Sequence, residues 1–171
     1  ANPDAVLALA YPSDSVLYAK QAKELGLSSP VQFIAIGPSD AFFAKAVGAA
    51  SAEDVLTIAH WSPRPEWKGS QAFYDAYVKK FGEDPDYLNS ALAWMSLEIL
   101  EKAVAKDGLD KEKIRATISK DTFETINGPV RFEGVQNVIT PTAFVQYQKG
   151  KLQIVWPKSI ATGQYQPKKG W

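Results

Sequence analysis

Side chains that could carry catalysis or bind a metal are scarce in this chain of 171 residues. The chain has no Cys and a single His, His60, which excludes thiol nucleophiles, iron–sulfur clusters and zinc sites built on Cys or on several His. A Ser-His-Asp triad would have to use His60, and no Ser lies in a G-x-S-x-G elbow. Glu83, Asp84 and Asp86 lie in a proline-containing segment that we interpret as a solvated turn with a helix cap at Asp86. The sequence therefore predicts no catalytic residue, metal or cofactor, and disfavours an enzyme.

The composition also disfavours nucleotide, nucleic-acid and membrane-spanning functions. Neither G-x-G-x-x-G nor G-x-x-x-x-G-K-[ST] occurs. The 19 basic and 19 acidic residues cancel, whereas a nucleic-acid surface needs an excess of Lys and Arg to neutralise phosphates. Apolar runs stay far below the ~20 residues of a membrane helix. A hydrophobic content of 46% is nevertheless enough for a globular core.

Polar and aromatic residues follow three predicted strands, where a small ligand could bind. Tyr11 and Ser13 follow the first strand, Ser39 and Asp40 follow the second, and Trp61 follows the third. In open α/β sheets, ligands bind at the carboxyl ends of the strands, close to helix N-termini. Ordinary loop and capping chemistry explains each segment equally well when it is taken alone. Their common position at one rim of a sheet makes them candidates for a ligand site.

Hydrophobic patterning predicts the elements that position these residues. Apolar runs over 6–10, 31–36 and 55–59 indicate buried strands, and the segments between them have helical spacing, which is typical of an α/β layer. Beyond residue 60 the pattern predicts helices over 66–81, about 87–106 and a last one capped by Asp110. Short strands are predicted at 130–132, 142–148 and 152–156. The last two form a hairpin at Lys149-Gly150, and the tail 157–171 is expected to lie across the surface.

Several of these segments carry a family resemblance, which covers nearly the whole chain. They are Asn2 to Val6 with Tyr11, Gln21 to Leu27, Phe33 to Pro38, Ala91 to Val104, and Thr125 to Glu133 before the hairpin. Together they resemble the second lobe of the type I periplasmic binding proteins, in particular the branched-chain amino acid (Leu/Ile/Val) binding proteins of ABC importers. The resemblance implies an α/β Venus-flytrap fold with three-layer αβα lobes, of which this chain would be the C-terminal half.

The resemblance also implies how the chain divides between the lobes. Residues 1–59 would be part of lobe two, residues 60–126 a helical segment that returns to lobe one, and residues 127–171 the strands that complete lobe two. The predicted helices of 60–126 have apolar faces with no strand in that stretch to receive them. The expected partner is therefore the missing N-terminal half of the same protein, or a second copy that swaps elements.

Site residues carry over from the family position by position. Tyr11 falls on a Tyr that lines the family's cleft. Ser39 falls where the amino-acid binders place a Glu that pairs with the ligand's ammonium, with Asp40 next to it. Asn89 falls on an aromatic position that packs against the ligand's side chain. Ser13 and Trp61 complete the candidate set, and the two departures at Ser39 and Asn89 leave the ligand open.

The function that the resemblance implies is capture of a solute outside the cytoplasm. The ligand would be an amino acid or a related small carboxylate, aromatic acids included, bound between the lobes and delivered to an ABC permease from the periplasm. The alternative is a sensor, receptor or effector-binding regulatory domain of the same fold. Neither interpretation involves an enzyme or a cofactor, and no nucleic acid is expected as a partner of this chain.

Overall fold

A computed structural model of the chain describes residues 3–64 and 66–171. The elements in chain order are β1 (Ala5–Ala8), α1 (Pro12–Glu24), β2 (Val31–Ile34), α2 (Ala41–Val47), α3 (Ala49–Ala52), β3 (Leu56–Ala59), α4 (Ser70–Phe81), α5 (Ser90–Asp107), α6 (Lys111–Lys120), β4 (Phe123–Thr125), β5 (Gly128–Val130), β6 (Phe132–Glu133), β7 (Gln136–Asn137), β8 (Ala143–Gln148) and β9 (Lys151–Trp156). A single 3-10 turn, Lys158–Ile160, follows β9.

The chain divides into two compact units, Ala1–Ala59 with Ala143–Trp171, and His60–Thr142. The first boundary lies between Ala59 and His60. The second lies between Thr142 and Ala143, because β4 to β7 pair only among themselves while β8 pairs with β3.

A five-stranded sheet in the order β1-β2-β3-β8-β9 forms the first unit. The β1/β2 and β2/β3 pairs are parallel, while β3/β8 and β8/β9 are antiparallel. The predicted strand–helix–strand–helix–strand order is confirmed, with α3 as an additional short helix. The predicted hairpin at Lys149-Gly150 is also confirmed, and Lys149 adopts a positive φ of 54° there.

The two faces of this sheet differ in what covers them. Residues from α1, α2, α3 and the strands form a core on one face: Ala19, Ile34, Phe43, Ala52, Val55 and Tyr147. The register places Leu7, Phe33 and Leu56 side by side on the other face, and Ile58, Phe144 and Trp156 side by side next to them. Leu7 is 67% exposed and Trp156 54%, so we call this second surface the open sheet face.

The first strand is shorter and less buried than predicted. It ends at Ala8 rather than residue 10, and Leu9 is 81% exposed. The physical reason is that β1 is an edge strand of the sheet and has a neighbouring strand on one side only. An apolar run alone does not distinguish an edge strand from a central one.

Helices dominate the second unit. The first of them begins at Ser70 rather than residue 66, because Gly69 at φ +86° cannot continue a helix on its N-terminal side. It ends at Gly82, which adopts the left-handed conformation at φ +73°. The Asp110 cap of α6 is confirmed, since its carboxylate accepts hydrogen bonds from two N–H groups of the first turn.

Two small hairpins complete the second unit, where the sequence predicted no strand before residue 127. Strand β4 pairs antiparallel with β5, and β6 with β7. The single strand predicted over 130–132 is divided at Arg131. Met95 and Ile99 of α5 pack against Phe123 and Val130, so β4 and β5 receive part of the apolar face of that helix.

The C-terminal tail closes the first unit by polar contacts. The Gln146 amide donates to the Gln166 carbonyl at 2.7 Å and accepts from the Gln166 N–H at 2.9 Å, as a neighbouring strand would. Lys168 is 5% exposed, and its Nζ donates to the Ser51 and Glu53 carbonyls at 3.1 and 2.7 Å. Burial lowers the pKa of Lys168, against the opposing effect of nearby acidic groups.

Candidate functional site

The loops after β1 and β2 form one rim in the first unit. The strands are parallel neighbours with Ala8 opposite Ile34, so their carboxyl ends meet at the same edge of the sheet. Tyr11 and Ser13 belong to the first loop and to the start of α1, and Ser39 and Asp40 belong to the second loop. The structure therefore brings four of the six predicted site residues to one rim.

Gly37 and Ser15 hold the two loops together. The Ser15 hydroxyl bonds to the carbonyl of Tyr11 at 3.0 Å and to that of Ile36. Gly37 has φ +112°, and a Cβ there would lie 3.0 Å from Ser15 Cβ and 3.3 Å from Pro12 Cα. Only glycine allows so close an approach in that conformation. Ser15 and Gly37 build the rim but were not among the residues predicted from the sequence, where a glycine after a strand was the available signal.

Tyr11 is the most accessible aromatic side chain of this rim. It occupies the N-cap position of α1, is 73% exposed, and makes no side-chain hydrogen bond with the described part of the chain. Pro12 follows at the first helical position, which suits the fixed φ of proline. Ser13 is exposed in the same turn. The phenol and the exposed turn can therefore contact a solute without rearrangement of the core.

Asp40 is engaged in its own helix, while Ser39 is buried. The Asp40 carboxylate accepts a hydrogen bond from the Phe42 N–H at 2.8 Å and caps α2. The Asp40 carbonyl accepts a hydrogen bond from the Tyr147 hydroxyl at 3.3 Å. Ser39 is only 2% exposed. Moving the carboxylate to a ligand would break the cap, which costs about 1 kcal/mol.

Trp61 and Asn89 belong to the second unit and differ in accessibility. Trp61 is 2% exposed, and its indole N–H lies 3.1 Å from Ser70 Oγ and 3.0 Å from the Ile126 carbonyl. This burial gives no support to the prediction that Trp61 contacts a ligand, and it makes Trp61 a core residue. Asn89 is exposed, its N–H donates to Asp86 at 2.9 Å, and its side chain makes no hydrogen bond with residues 3–64 or 66–171.

The acidic turn before α5 has a structural role. The Asp86 carboxylate accepts hydrogen bonds from the N–H groups of Leu88 and Asn89 at 2.6 and 2.9 Å. The prediction of a helix N-cap at Asp86 is wrong, because α5 begins at Ser90 with Asn89 as its N-cap, and Asp86 stabilises the turn before the helix instead. Asp84 accepts from the Tyr74 hydroxyl at 2.7 Å, and this bond, with burial, raises the pKa of Tyr74 to about 12. Within the described ranges, no group of three or more His, Asp or Glu side chains could hold a metal ion.

Arg64 is a buried cation that was not among the site residues predicted from the sequence. It is 8% exposed, and its guanidinium carbon lies 4.5 Å from the centre of the Trp67 ring. Its Nε–H donates to Ser62 Oγ at 3.3 Å, and its Nη1 lies 3.7 Å from Glu66 Oε1. Burial lowers the pKa of Arg64, and Glu66 opposes that change. No spacing motif marks this residue, because its burial depends on residues that follow it.

An aromatic groove lies between α4 and α5. It encloses about 650 Å³ and is lined by Phe73, Tyr77, Phe81, Trp94 and Leu97, among others. Leu97 is 64% exposed and Phe81 55%. The sequence predicted apolar helix faces here without a strand to receive them, and this groove is the part of those faces that the second unit leaves uncovered.

Across the described residues, no helix is long and apolar enough to cross a membrane.

Comparison with known proteins identifies the family. Residues 1–151 match the family described as periplasmic binding protein. A Leu/Ile/Val-binding protein homolog 7 of Brucella melitensis is 26% identical over 94% of this chain and 43% of its own length.

Solved structures share the fold. The branched-chain amino acid transporter substrate-binding protein LivJ of Streptococcus pneumoniae, in complex with isoleucine, aligns with a TM-score of 0.75 and 23% identity over 90% of this chain and 45% of its own. A solute-binding protein of an ABC transporter from R. palustris, in complex with benzoate, aligns with a TM-score of 0.69 and 17% identity over 96% and 44%. The chain thus spans less than half the length of these relatives.

The parallel β1-β2-β3 arrangement and the two units agree with the family match over residues 1–151. The chain therefore belongs to the periplasmic binding protein family, with the type I fold of the branched-chain amino acid binding proteins.

Proposed function

We propose that this chain is the C-terminal half of an extracytoplasmic solute-binding protein, with the rim of Tyr11, Ser13, Ser39 and Asp40 as part of its ligand site. The observation that carries the proposal is the close packing of the two strand-end loops through Gly37, which leaves Tyr11 accessible on a fixed scaffold. Asn89 is the candidate contact from the second unit. The ligand stabilises a closed state by its additional contacts there, and no covalent bond changes.

Small carboxylates without an α-ammonium group are the ligands that this rim accepts without a change at Asp40. The relatives include an isoleucine complex and a benzoate complex, so the fold accommodates both zwitterions and simple acids. Ser39 stands at the family's ammonium-pairing position, and the neighbouring Asp40 carboxylate is used as a helix cap. An unpaired ammonium in a closed cleft is strongly unfavourable. Small carboxylates, aromatic acids among them, are therefore preferred to branched-chain amino acids.

The partner of the loaded protein is an ABC permease, and the location is the periplasm. Both proposals rest on family membership and on the names of the relatives. The alternative, a sensor or an effector-binding regulator of the same fold, differs in the segments attached to this one. A transmembrane or DNA-binding segment in the complete gene product would favour that alternative.

Two uncovered apolar surfaces support completion by further polypeptide. The open sheet face lies in the first unit and the aromatic groove in the second. Each consists of several neighbouring apolar side chains, whereas single exposed apolar side chains would need no explanation. We assign residues 1–59 and the β8–β9 hairpin to lobe two, and the helices of 60–126 to lobe one. The missing N-terminal half of the same protein, or a swapped second copy, covers both surfaces. We refer to the chain with this completing polypeptide as the assembled protein.

Size-exclusion chromatography with light scattering tests the completion. The isolated chain should associate or aggregate through its apolar surfaces. A monodisperse 18.7 kDa monomer with one cooperative melting transition would contradict the lobe assignment.

A thermal-shift panel on the assembled protein tests the function. Aromatic and aliphatic carboxylates should raise the melting temperature more than leucine, isoleucine and valine do. Strong stabilisation by leucine that persists in Asp40→Asn would refute the ligand class. No stabilisation by any compound in the panel would refute solute binding at this rim.

A further inference from the structure

The outer edge of β1 has the properties of a strand from the middle of a sheet. We propose that this edge is an interaction surface for a further strand, which pairs parallel to β1 in the assembled protein and is supplied by the missing N-terminal half. The inference rests on the proposed completion of the chain. It adds the element that makes the contact and the way in which it binds.

Alternate backbone groups of β1 point away from its neighbour β2. The carbonyls of Asp4 and Ala8 accept hydrogen bonds from N–H groups on the β2 side, at 3.3 and 2.9 Å. Successive residues of a strand direct these groups to opposite sides, so the N–H and C=O groups of Ala5 and Leu7 point to the outer edge. In the described part of the chain, β1 pairs with β2 alone. Two donors and two acceptors are therefore available to an adjacent strand.

The opposite edge of the same sheet, formed by β9, is protected. The Ile154 N–H donates to Thr162 Oγ1 at 2.9 Å, and the Ile154 carbonyl accepts from the N–H groups of Thr162 and Gly163 at 2.9 and 3.1 Å. This strand also begins with Lys151 and is followed by Pro157. Covering loops, lysine and proline are the devices that keep edge strands from pairing. Strand β1 contains no charged residue, proline or bulge, so its edge is open to a partner.

The side chains of β1 favour a parallel partner. The run from residue 6 to residue 10 is apolar throughout, which is typical of strands that are buried on both faces of a parallel sheet. In this chain Leu7 is 67% exposed and Leu9 81%. Strand β1 is already parallel to β2. A further parallel strand continues that arrangement and gives the run the burial that its composition predicts.

The N-terminal half of the same protein is the occupant that the observations favour. More than half of the length of the Brucella relative and of the LivJ structure lies outside the part that this chain matches, which is ample for further strands. In a second copy related by a two-fold axis, β1 would instead pair with β1 in the antiparallel sense. That arrangement would reverse the strand direction that β1, β2 and β3 share.

Amide hydrogen exchange of the assembled protein, resolved by NMR, tests the proposal. The N–H groups of Ala5 and Leu7 should exchange at least roughly tenfold more slowly than that of Leu152. Leu152 is the matched reference because it points outward from β9 by the same alternation as Ile154. The Val6 N–H faces β2 and should be protected with or without a further strand.

A pair of variants provides a second readout. Leu7→Pro removes the outward N–H, whereas Leu7→Ala shortens the side chain and keeps the N–H. Proline is accepted on a sheet edge that faces solvent but not in a strand with partners on both sides. Leu7→Pro should therefore lower the melting temperature of the assembled protein by roughly 3–10 °C more than Leu7→Ala does.

The outcomes separate this inference from the proposed function. Exchange of Ala5 and Leu7 as fast as that of Leu152, or equal melting temperatures of the two variants, would overturn the added strand. Slow exchange with close Hα–Hα contacts between two copies of β1 would also overturn it, in favour of a second copy. If the added strand fails while carboxylates still raise the melting temperature, solute binding stands without it. Slow exchange in a protein that no compound of the panel stabilises would support the strand and refute solute binding.

Discussion

Gly128 is the position in the second unit where a single methyl group should do most damage. It has φ +78°, and a Cβ there would lie 2.7 Å from Trp67 Cε2 and 2.9 Å from its Nε1. Both distances are shorter than any stable carbon contact, and the obstacle is a rigid ring rather than a flexible chain end. We expect Gly128→Ala to destabilise the unit and to displace Trp67 from beneath Arg64.

The magnitude has two parts. Holding alanine in the left-handed region costs about 1–2 kcal/mol, and forcing a methyl group into a filled space costs about 1–3 kcal/mol. The sum is about 2–5 kcal/mol if the two effects add. The upper end applies if the Trp67 ring cannot rotate away without losing its stacking with Arg64.

Gly82→Ala is the matched control. Gly82 lies in the same unit at φ +73°, and no heavy atom lies within 4 Å of its ideal Cβ. This variant should therefore lose only the conformational part, about 1–2 kcal/mol.

Urea unfolding of the assembled protein, followed by tryptophan fluorescence, measures both variants. The Trp67 indole resonance reports the local displacement. Equal losses for Gly128→Ala and Gly82→Ala, with an unmoved Trp67 resonance, would refute the tight packing of Gly128 on the ring.

Three further predictions address the rim and the pH dependence. Tyr11→Ala should weaken ligand binding by about 1–3 kcal/mol in calorimetry, while Leu25→Ala, an 83% exposed residue at the other end of α1, should not; equal effects would remove Tyr11 from the site. Burial lowers the pKa of His60 below 6.5, so an NMR titration of this single His should have its midpoint below that value. The stability that comes from keeping His60 neutral should be lost as the pH falls below 6.5. A midpoint at or above 6.5 would contradict the burial of His60. The hydrogen bond to Asp84 raises the pKa of Tyr74 to about 12, so the stability from this bond is present below pH 10 and lost as the pH rises from 10 to 12. Tyr74→Phe should reduce this loss of stability at alkaline pH, as measured by urea unfolding. An unchanged loss in the variant would argue against the bond.

Local patterns predicted most of the fold because the corresponding contacts are close in sequence. The apolar runs of β2, β3, β8 and β9 and the Asp110 cap each depend on a few neighbouring residues, and all appear in the structure. Strand β4 was missed because three residues carry no measurable periodicity. The division of the chain at residue 143 depends on which strands pair across long stretches of chain, and local patterns carry no signal for that.

The candidate site was predictable to the extent that strand ends define it. Parallel neighbours force Tyr11 and Asp40 onto one rim, and the sequence predicts both strand ends to within two residues. The burial of Trp61 was not predictable, since it depends on bonds to residues 9 and 65 positions away. The role of the Asp40 carboxylate as a helix cap was not predictable either, because it depends on the residue at which α2 begins.

Native mass spectrometry of the assembled protein, compared with its denatured mass, tests the central claim most directly. A solute-binding protein of this kind should show a small organic mass on the native protein that is lost on denaturation, and that mass should correspond to an acid without an α-amino group. A native mass equal to the denatured mass, unchanged after incubation with the carboxylate and amino-acid panel, would contradict the claim.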